Sequence, residues 1–210
     1  MLNLTGIKNI IFDLGGVILN IDYNKTANAF KQIGVANFDD IYSQGKQDQV
    51  FDKLETGELA SDEFREYIKD IVPSLQYSDI DKAWNAMLLD MPMQRIILLK
   101  KLKKKYRLFL LSNTNAIHIK AFGKIIQSAD EKNIFDAIFE HQYYSSEMGM
   151  RKPNSDCFQS VLEKSSLDPF ETLFIDDSIQ HVQGARKLKI KAYHLTPGED
   201  ITALFPDKVQ

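Results

Sequence analysis

The 210-residue sequence carries only one cysteine, Cys157, along with six prolines and one tryptophan. A single cysteine excludes an internal disulfide and points to a reducing, cytoplasmic setting. No apolar run approaches the ~20 residues needed to span a bilayer, and the first residues lack the basic-then-apolar order of a secretion signal. There is no basic excess either. The 26 Lys and Arg stand against 29 Asp and Glu, a net charge of −3, which argues against nucleic acid or an anionic membrane as partner. Repeats and low-complexity tracts are also missing. What is left, 44% hydrophobic and 26% charged, is the composition of a globular chain with a substantial core.

The chain is organised around residues 8–18, Lys-Asn-Ile-Ile-Phe-Asp-Leu-Gly-Gly-Val-Ile. The apolar run Ile10–Phe12 reads as a central strand buried on both faces, ending on Asp13 and breaking into Gly15-Gly16. From about 24 to 90 the pattern turns helical. Ala27, Phe30 and Ile33 mark one helix; Val50, Phe51 and Leu54 another; Ser61 starts a third, with Phe64 and Ile68 on one face. Ser78 with Asp81 resembles a capping box before Ile80, Ala83, Trp84, Met87 and Leu88. Gly45, Gly57 and Pro73 punctuate the set. From Pro92 on, helix and strand alternate. Strands are expected at Tyr106–Leu111, near Phe135–Phe139, at Leu173–Ile175 and at Ala192–Leu195. Helices are expected after Pro92, around 115–127, from Pro153 and through Val182, Ala185 and Leu188. This order predicts an α/β fold, a Rossmann-like parallel sheet with helices on both faces. Residues 1–19 and 91–210 form the core and 20–90 an inserted α-helical subdomain.

In a parallel sheet the polar strand ends share one edge, where such folds bind ligands. Asp13, Ser112-Asn113 and Asp176-Asp177 therefore converge. Carboxylates about 4 Å apart repel by roughly 4 kcal/mol at an effective dielectric near 20, so one protonates or a cation settles among them. Hard oxygen donors with room for water and phosphate match Mg²⁺. An ionised Asp13 beside such a cation has the chemistry to attack a phosphoryl group, with the Ser112 hydroxyl and Asn113 N–H as donors. Lys152, in Met-Arg-Lys-Pro, reads from its residues alone as a solvated lysine or a second cation.

Four motifs in this order resemble the haloacid dehalogenase superfamily: Ile-Ile-Phe-Asp13-Leu-Gly-Gly-Val, Leu-Leu-Ser112-Asn113, Arg-Lys152-Pro and Phe-Ile-Asp176-Asp177-Ser178. Leu54-Glu55-Thr56-Gly57-Glu58, followed by Glu63-Phe64, is similar to the cap of its sugar-phosphatase-like branch. The resemblance implies a Mg²⁺-dependent phosphatase of a small phosphorylated metabolite, with a helical cap between the first two motifs. It implies Asp13 as nucleophile and metal ligand, the Gly15 carbonyl and Asp176 as further ligands, and Asp177 supporting the metal's water shell. It also implies Ser112, Asn113 and Lys152 as phosphate-binding groups, with Lys152 neutralising Asp13. The family's members include monomers and dimers.

One departure stands out. Most phosphatases of that family carry a second Asp two residues after the nucleophile, and here the position is Gly15. The residues open to its role are Asp22, Asp52, Glu55 and His181. A sugar hemiacetal phosphate, with its better leaving group, needs less acid help. The alternatives are a dehalogenase, which keeps no paired acids for a metal, and a phosphonate hydrolase using Lys25, Lys46 or Lys53 as Schiff base. A catalytically weak phosphometabolite-binding protein is the third.

Overall fold

The fold is described from a computed structural model over residues 2–42, 49–129 and 134–205. The first strand, β1 (Asn9–Phe12), is buried along its whole length. Five helices follow: α1 (Tyr23–Gln32), α2 (Phe38–Ile41), α3 (Gln49–Thr56), α4 (Ser61–Ile71) and α5 (Tyr77–Trp84), which tightens into a 3₁₀ turn over Asn85–Met87. Then come α6 (Met93–Leu102), β2 (Arg107–Ser112), α7 (Ala116–Ala129), α8 (Ile134–Ile138), β3 (His141–Tyr144), α9 (Ser145–Met148) and α10 (Ser155–Lys164). The chain continues through β4 (Thr172–Asp176), α11 (Ile179–Lys187), β5 (Lys191–His194) and α12 (Ile201–Leu204).

The strands form one parallel sheet in the order β3-β2-β1-β4-β5. Because successive side chains on a strand point to opposite faces, Ile10 and Phe12 join a cluster with Leu99, Phe122, Ile138 and Ile201 from α6, α7, α8 and α12. Ile11 faces the other way, toward Phe158, Val161 and Ala185 of α10 and α11. The result is the expected α/β core with helices on both faces.

The helices between β1 and β2 gather around a third cluster, dominated by Phe30, Phe38, Phe51, Phe64 and Trp84. Trp84 packs against five of the surrounding aromatic rings. One of these is His118 at the start of α7, stacked at 4.7 Å, whose Nε2 lies 3.1 Å from the Trp84 carbonyl. Ile117 enters the same cluster, so the helical group is seated on α7. The two connecting segments run side by side: Asn20 N–H donates to Asp90 O and Leu89 N–H to Asn20 O, both at 2.9 Å.

Three expectations need correction. The stretch 135–139 is largely the helix α8, and the strand lies just beyond it at His141–Tyr144. Phe135, Ile138 and Phe139 follow a helical i, i+3, i+4 spacing. The Ser78–Asp81 capping box does not form. Asp79 accepts the Gln76 N–H at 3.1 Å, two residues earlier, and Asp81 pairs with Arg65. Pro153 precedes rather than opens its helix, which begins at Ser155. Gly45 and Lys46 lie outside the described residues.

Candidate active site

The register places the polar strand ends level with one another. Phe12 pairs with Leu110 on one side and Ile175 on the other, so Asp13 emerges beside Leu111 and Asp176. The Asp13 N–H extends the ladder by donating to Ile175 O at 2.9 Å. Its Oδ1 accepts the Leu14 N–H at 2.7 Å and lies 2.9 Å from the Lys152 ammonium. Among the described residues its Oδ2 accepts no hydrogen bond, and Asp13 lines the cavity above.

Lys152 is fully buried. It donates to Leu111 O at 2.9 Å and Asp176 Oδ2 at 2.7 Å besides contacting Asp13, so its three N–H donors are all committed. Burial alone would lower its pKa, but Asp13 and Asp176 together outweigh that and hold the ammonium charged. Its backbone is fixed by Asn113, whose side chain accepts the Lys152 N–H and donates to the Lys152 carbonyl, both at 2.9 Å. The Asn113 side chain thus serves Lys152, a role that spacing did not indicate.

Asp176 is gripped from three sides: by Lys152, by the Ser178 N–H at 2.8 Å, and by His181 Nδ1 at 3.0 and 3.1 Å from its two oxygens. Burial pushes its pKa up, but Lys152 and His181 overcome this and keep it below the usual carboxylate range. The other two acids go the opposite way. Burial, opposed by Lys152 and reinforced by Asp176, raises Asp13 to about 6. Burial, then Asp13 and Asp176, raises Asp177 to about 7. Asp177 sits against Gly16, whose φ of +72° suits glycine and where a Cβ would fall 2.3 Å from Asp177 Oδ2. Among the described residues the strand-end group therefore holds more buried carboxylate than the one Lys152 ammonium neutralises.

That surplus fits a hard divalent cation such as Mg²⁺. Ligating atoms of Asp13, Asp176 and His181 lie within 4.8 Å of one another. The Gly15 carbonyl, also on the cavity, accepts no hydrogen bond among the described residues. Ser112 ends β2 on the same cavity, and its hydroxyl has no partner among the described residues.

The cavity, about 130 Å³, lies between the strand ends and the helical group. Glu55, Tyr23, Tyr42, Met87 and Leu88 come from the helical side and its connecting segments; His181 and Arg151 join from the sheet side. Of the residues open to the missing acid's role, Asp22 caps α1 by accepting the Asn24 N–H at 3.0 Å. Asp52 pairs with Arg151; only Glu55 and His181 line the cavity. Lys25 and Lys53 are exposed and off the cavity, which removes them as Schiff-base lysines. At Gly15 a Cβ would meet Ile21 Cδ1 at 3.0 Å, so an isoleucine fills the space an acid would enter.

The haloacid dehalogenase-like hydrolase family profile matches residues 7–189. The chain belongs to this family. It is 30% identical over 195 residues, 92% of this chain and 94% of the relative, to a D-ribitol-5-phosphate phosphatase of Bacteroides thetaiotaomicron. A haloacid dehalogenase family enzyme of that organism superposes with a TM-score of 0.90 at 38% identity, covering 95% of this chain and 98% of that one. That structure is an Asp-to-Ala mutant in complex with magnesium and inorganic phosphate. A predicted hydrolase of the family from Porphyromonas gingivalis matches with a TM-score of 0.86 at 32% identity over 96% and 97% of the two chains. The four stretches quoted for the resemblance end β1, β2 and β4 and precede α10.

Proposed function

We propose that the protein is a Mg²⁺-dependent phosphomonoesterase of a small phosphorylated metabolite, working through an aspartyl-phosphate on Asp13. The observation that carries this reading is the Lys152 ammonium bridging Asp13 and Asp176 beneath a cavity with a surplus of carboxylate. A dehalogenase site has no use for that surplus. The similarity to a ribitol-phosphate phosphatase, and to an enzyme solved with magnesium and phosphate, points the same way.

In this reading Asp13, the Gly15 carbonyl and Asp176 hold Mg²⁺, with Asp177 on its water shell and His181 orienting Asp176 from behind. The ion supplies charge that lets a phosphate dianion approach an anionic nucleophile. Asp13 Oδ1 stays on Leu14 N–H and Lys152, so Oδ2 attacks phosphorus. The new O–P bond forms as the ester P–O bond breaks, and the leaving alkoxide takes its proton from solvent water. Ser112 and the Asn113 N–H hold phosphoryl oxygens, and water then hydrolyses the acyl phosphate. Residues 20–90 act as a cap that bounds the substrate. The cavity, about 130 Å³, is smaller than the ~300–1,000 Å³ pockets that take drug-sized ligands, which favours a small metabolite.

The test is turnover of p-nitrophenyl phosphate and a sugar- and polyol-phosphate panel with Mg²⁺, with EDTA, and with Asp13→Asn. We expect turnover only in the first condition, and a loss of at least about 10³-fold in the variant. Turnover in EDTA would overturn the metal's role, and none anywhere would overturn the activity.

A further inference from the structure

The turn that follows Asp13 is held from outside the cavity. Leu14 O accepts the N–H groups of Ile18 and Leu19, both at 2.8 Å, and Gly16 N–H donates to Leu19 O at 2.9 Å. Val17, Ile18 and Leu19 are buried in the core cluster beneath the sheet edge. Leu14 also turns its own N–H back on Asp13, donating to Oδ1 at 2.7 Å, and so fixes how the carboxylate is rotated.

Among the described residues Ile18 O accepts no backbone N–H, although the residue is fully buried. A buried carbonyl needs a partner, and Arg95 of α6 supplies it, with Nη1 at 3.2 Å. Arg95 is only 7% exposed, a depth a guanidinium tolerates when it is paired. Its Nε and Nη2 both donate to Asp200 Oδ2, at 2.9 and 2.8 Å. Asp200 is fixed in turn, because its Oδ1 accepts the Thr202 N–H at 2.9 Å and the Thr202 hydroxyl at 2.8 Å where α12 begins. Ile18 O and the Leu19 N–H belong to one peptide group. Hydrogen bonds therefore run from Asp200 through Arg95 to that peptide, from the peptide to Leu14 O, and from Leu14 N–H to Asp13. Bonds linked in series polarise and stiffen one another.

Resting on the phosphatase reading above, we propose that Arg95, fixed by Asp200, is a positioning residue that sets the turn over residues 14–19 so that Asp13 presents Oδ2 to the phosphorus. Arg95 does not line the cavity and acts only through the Leu14 N–H. Without it the Ile18 carbonyl is left buried and unpaired, and the turn shifts to find another donor. Lys152 still contacts Oδ1, but the carboxylate can then pivot about that one ammonium. A displacement of about 1 Å at a reacting group is enough to cost about 10²-fold in rate.

Three variants test this. Arg95→Met keeps the apolar stem and removes the donors, Arg95→Lys keeps a cation, and Asp200→Asn keeps an oxygen for Thr202 while loosening the guanidinium. With Mg²⁺ and p-nitrophenyl phosphate, Arg95→Met should lower kcat by about 10- to 100-fold and leave KM within about twofold, since the groups that hold the phosphate are untouched. Arg95→Lys should recover part of kcat, and Asp200→Asn should lose less than Arg95→Met. The ¹H–¹⁵N resonance of Leu14 reads the same bond without turnover. Its proton should move upfield in Arg95→Met as the bond to Asp13 weakens, while the amides of β2 stay in place. Wild-type kcat would overturn the proposal, as would an unmoved Leu14 resonance, a loss confined to KM, or a loss that matches the unfolded fraction. If Arg95→Met does not fold, Asp200→Asn and Arg95→Lys decide on the same readouts. Absence of turnover in the wild type would count against the phosphatase reading instead, and the Leu14 resonance would still decide whether Arg95 positions Asp13.

Discussion

At the scale of single residues, the site depends on how three acids divide one ammonium. Asp176 takes the largest share and stays ionised, while Asp13 and Asp177 hold protons up to about 6 and 7. A raised carboxyl pKa means the metal-free fold binds more protons than the unfolded chain above about pH 4, so these two acids lower its stability as pH rises toward 7. His118, buried and held down to about 4, contributes the opposite slope, so total stability mixes the two. The stabilisation that Mg²⁺ adds is the cleaner quantity, because the ion competes with the protons of Asp13 and Asp177. The Tm increment from Mg²⁺ should therefore grow as pH rises from about 5 to 8. An increment independent of pH would contradict the assignment of these acids. His181 holds both oxygens of Asp176, and His181→Ala should weaken Mg²⁺ binding by about 10–100-fold in calorimetry. An unchanged affinity would remove it from the metal's surroundings. The acids were legible from the sequence because each ends an apolar run. The contacts of Asn113 with Lys152 and of Ile21 with Gly15 were not, since spacing along a chain does not say which way a side chain turns once the strand is in place.

At the scale of elements, α3 is pinned to the sheet side at two points. Arg151 draws in Asp52 and Glu55, and Gly57 lets the end of the helix come against α9. Gly57 has a φ of +73°, and a Cβ there would fall 2.3 Å from the Ser146 carbonyl oxygen. Gly57→Ala should therefore cost more than the ~1 kcal/mol of an ordinary glycine site. It should also raise KM by lifting Glu55 away from the cavity; denaturant unfolding and steady-state kinetics would read the two effects. A variant with wild-type KM would show that α3 does not bound the substrate. Elements were legible wherever burial imposed a period. The strands β1, β2 and β4 stand in the middle of the sheet and read as unbroken apolar runs. Among the described residues the strand β3 pairs only with β2, and its His-Gln-Tyr-Tyr is half exposed. An edge strand of that kind gives no apolar signal, so the neighbouring residues of α8 drew the strand assignment instead.

At the scale of the whole molecule, the α/β class followed from the alternation of apolar runs. The ring of Trp84 is buried among helix side chains at the centre of an aromatic cluster. The pairing of Glu55 with Arg151 belongs to this scale, for it joins residues nearly a hundred positions apart and only the folded arrangement brings them together. The central place of β1 has a consequence of a different kind. Asn9 pairs with Arg107 on one side and with Thr172, 163 residues along the chain, on the other. Pairings this remote make slow folders, because a long loop must close before any contact rewards it. During synthesis β1, which Asp13 follows, leaves the ribosome before β2 and β4 and waits for both to be made. Until most of the chain has emerged, Ile10, Ile11 and Phe12 have no sheet to enter, and they form an aggregation-prone segment that the nascent protein must keep covered.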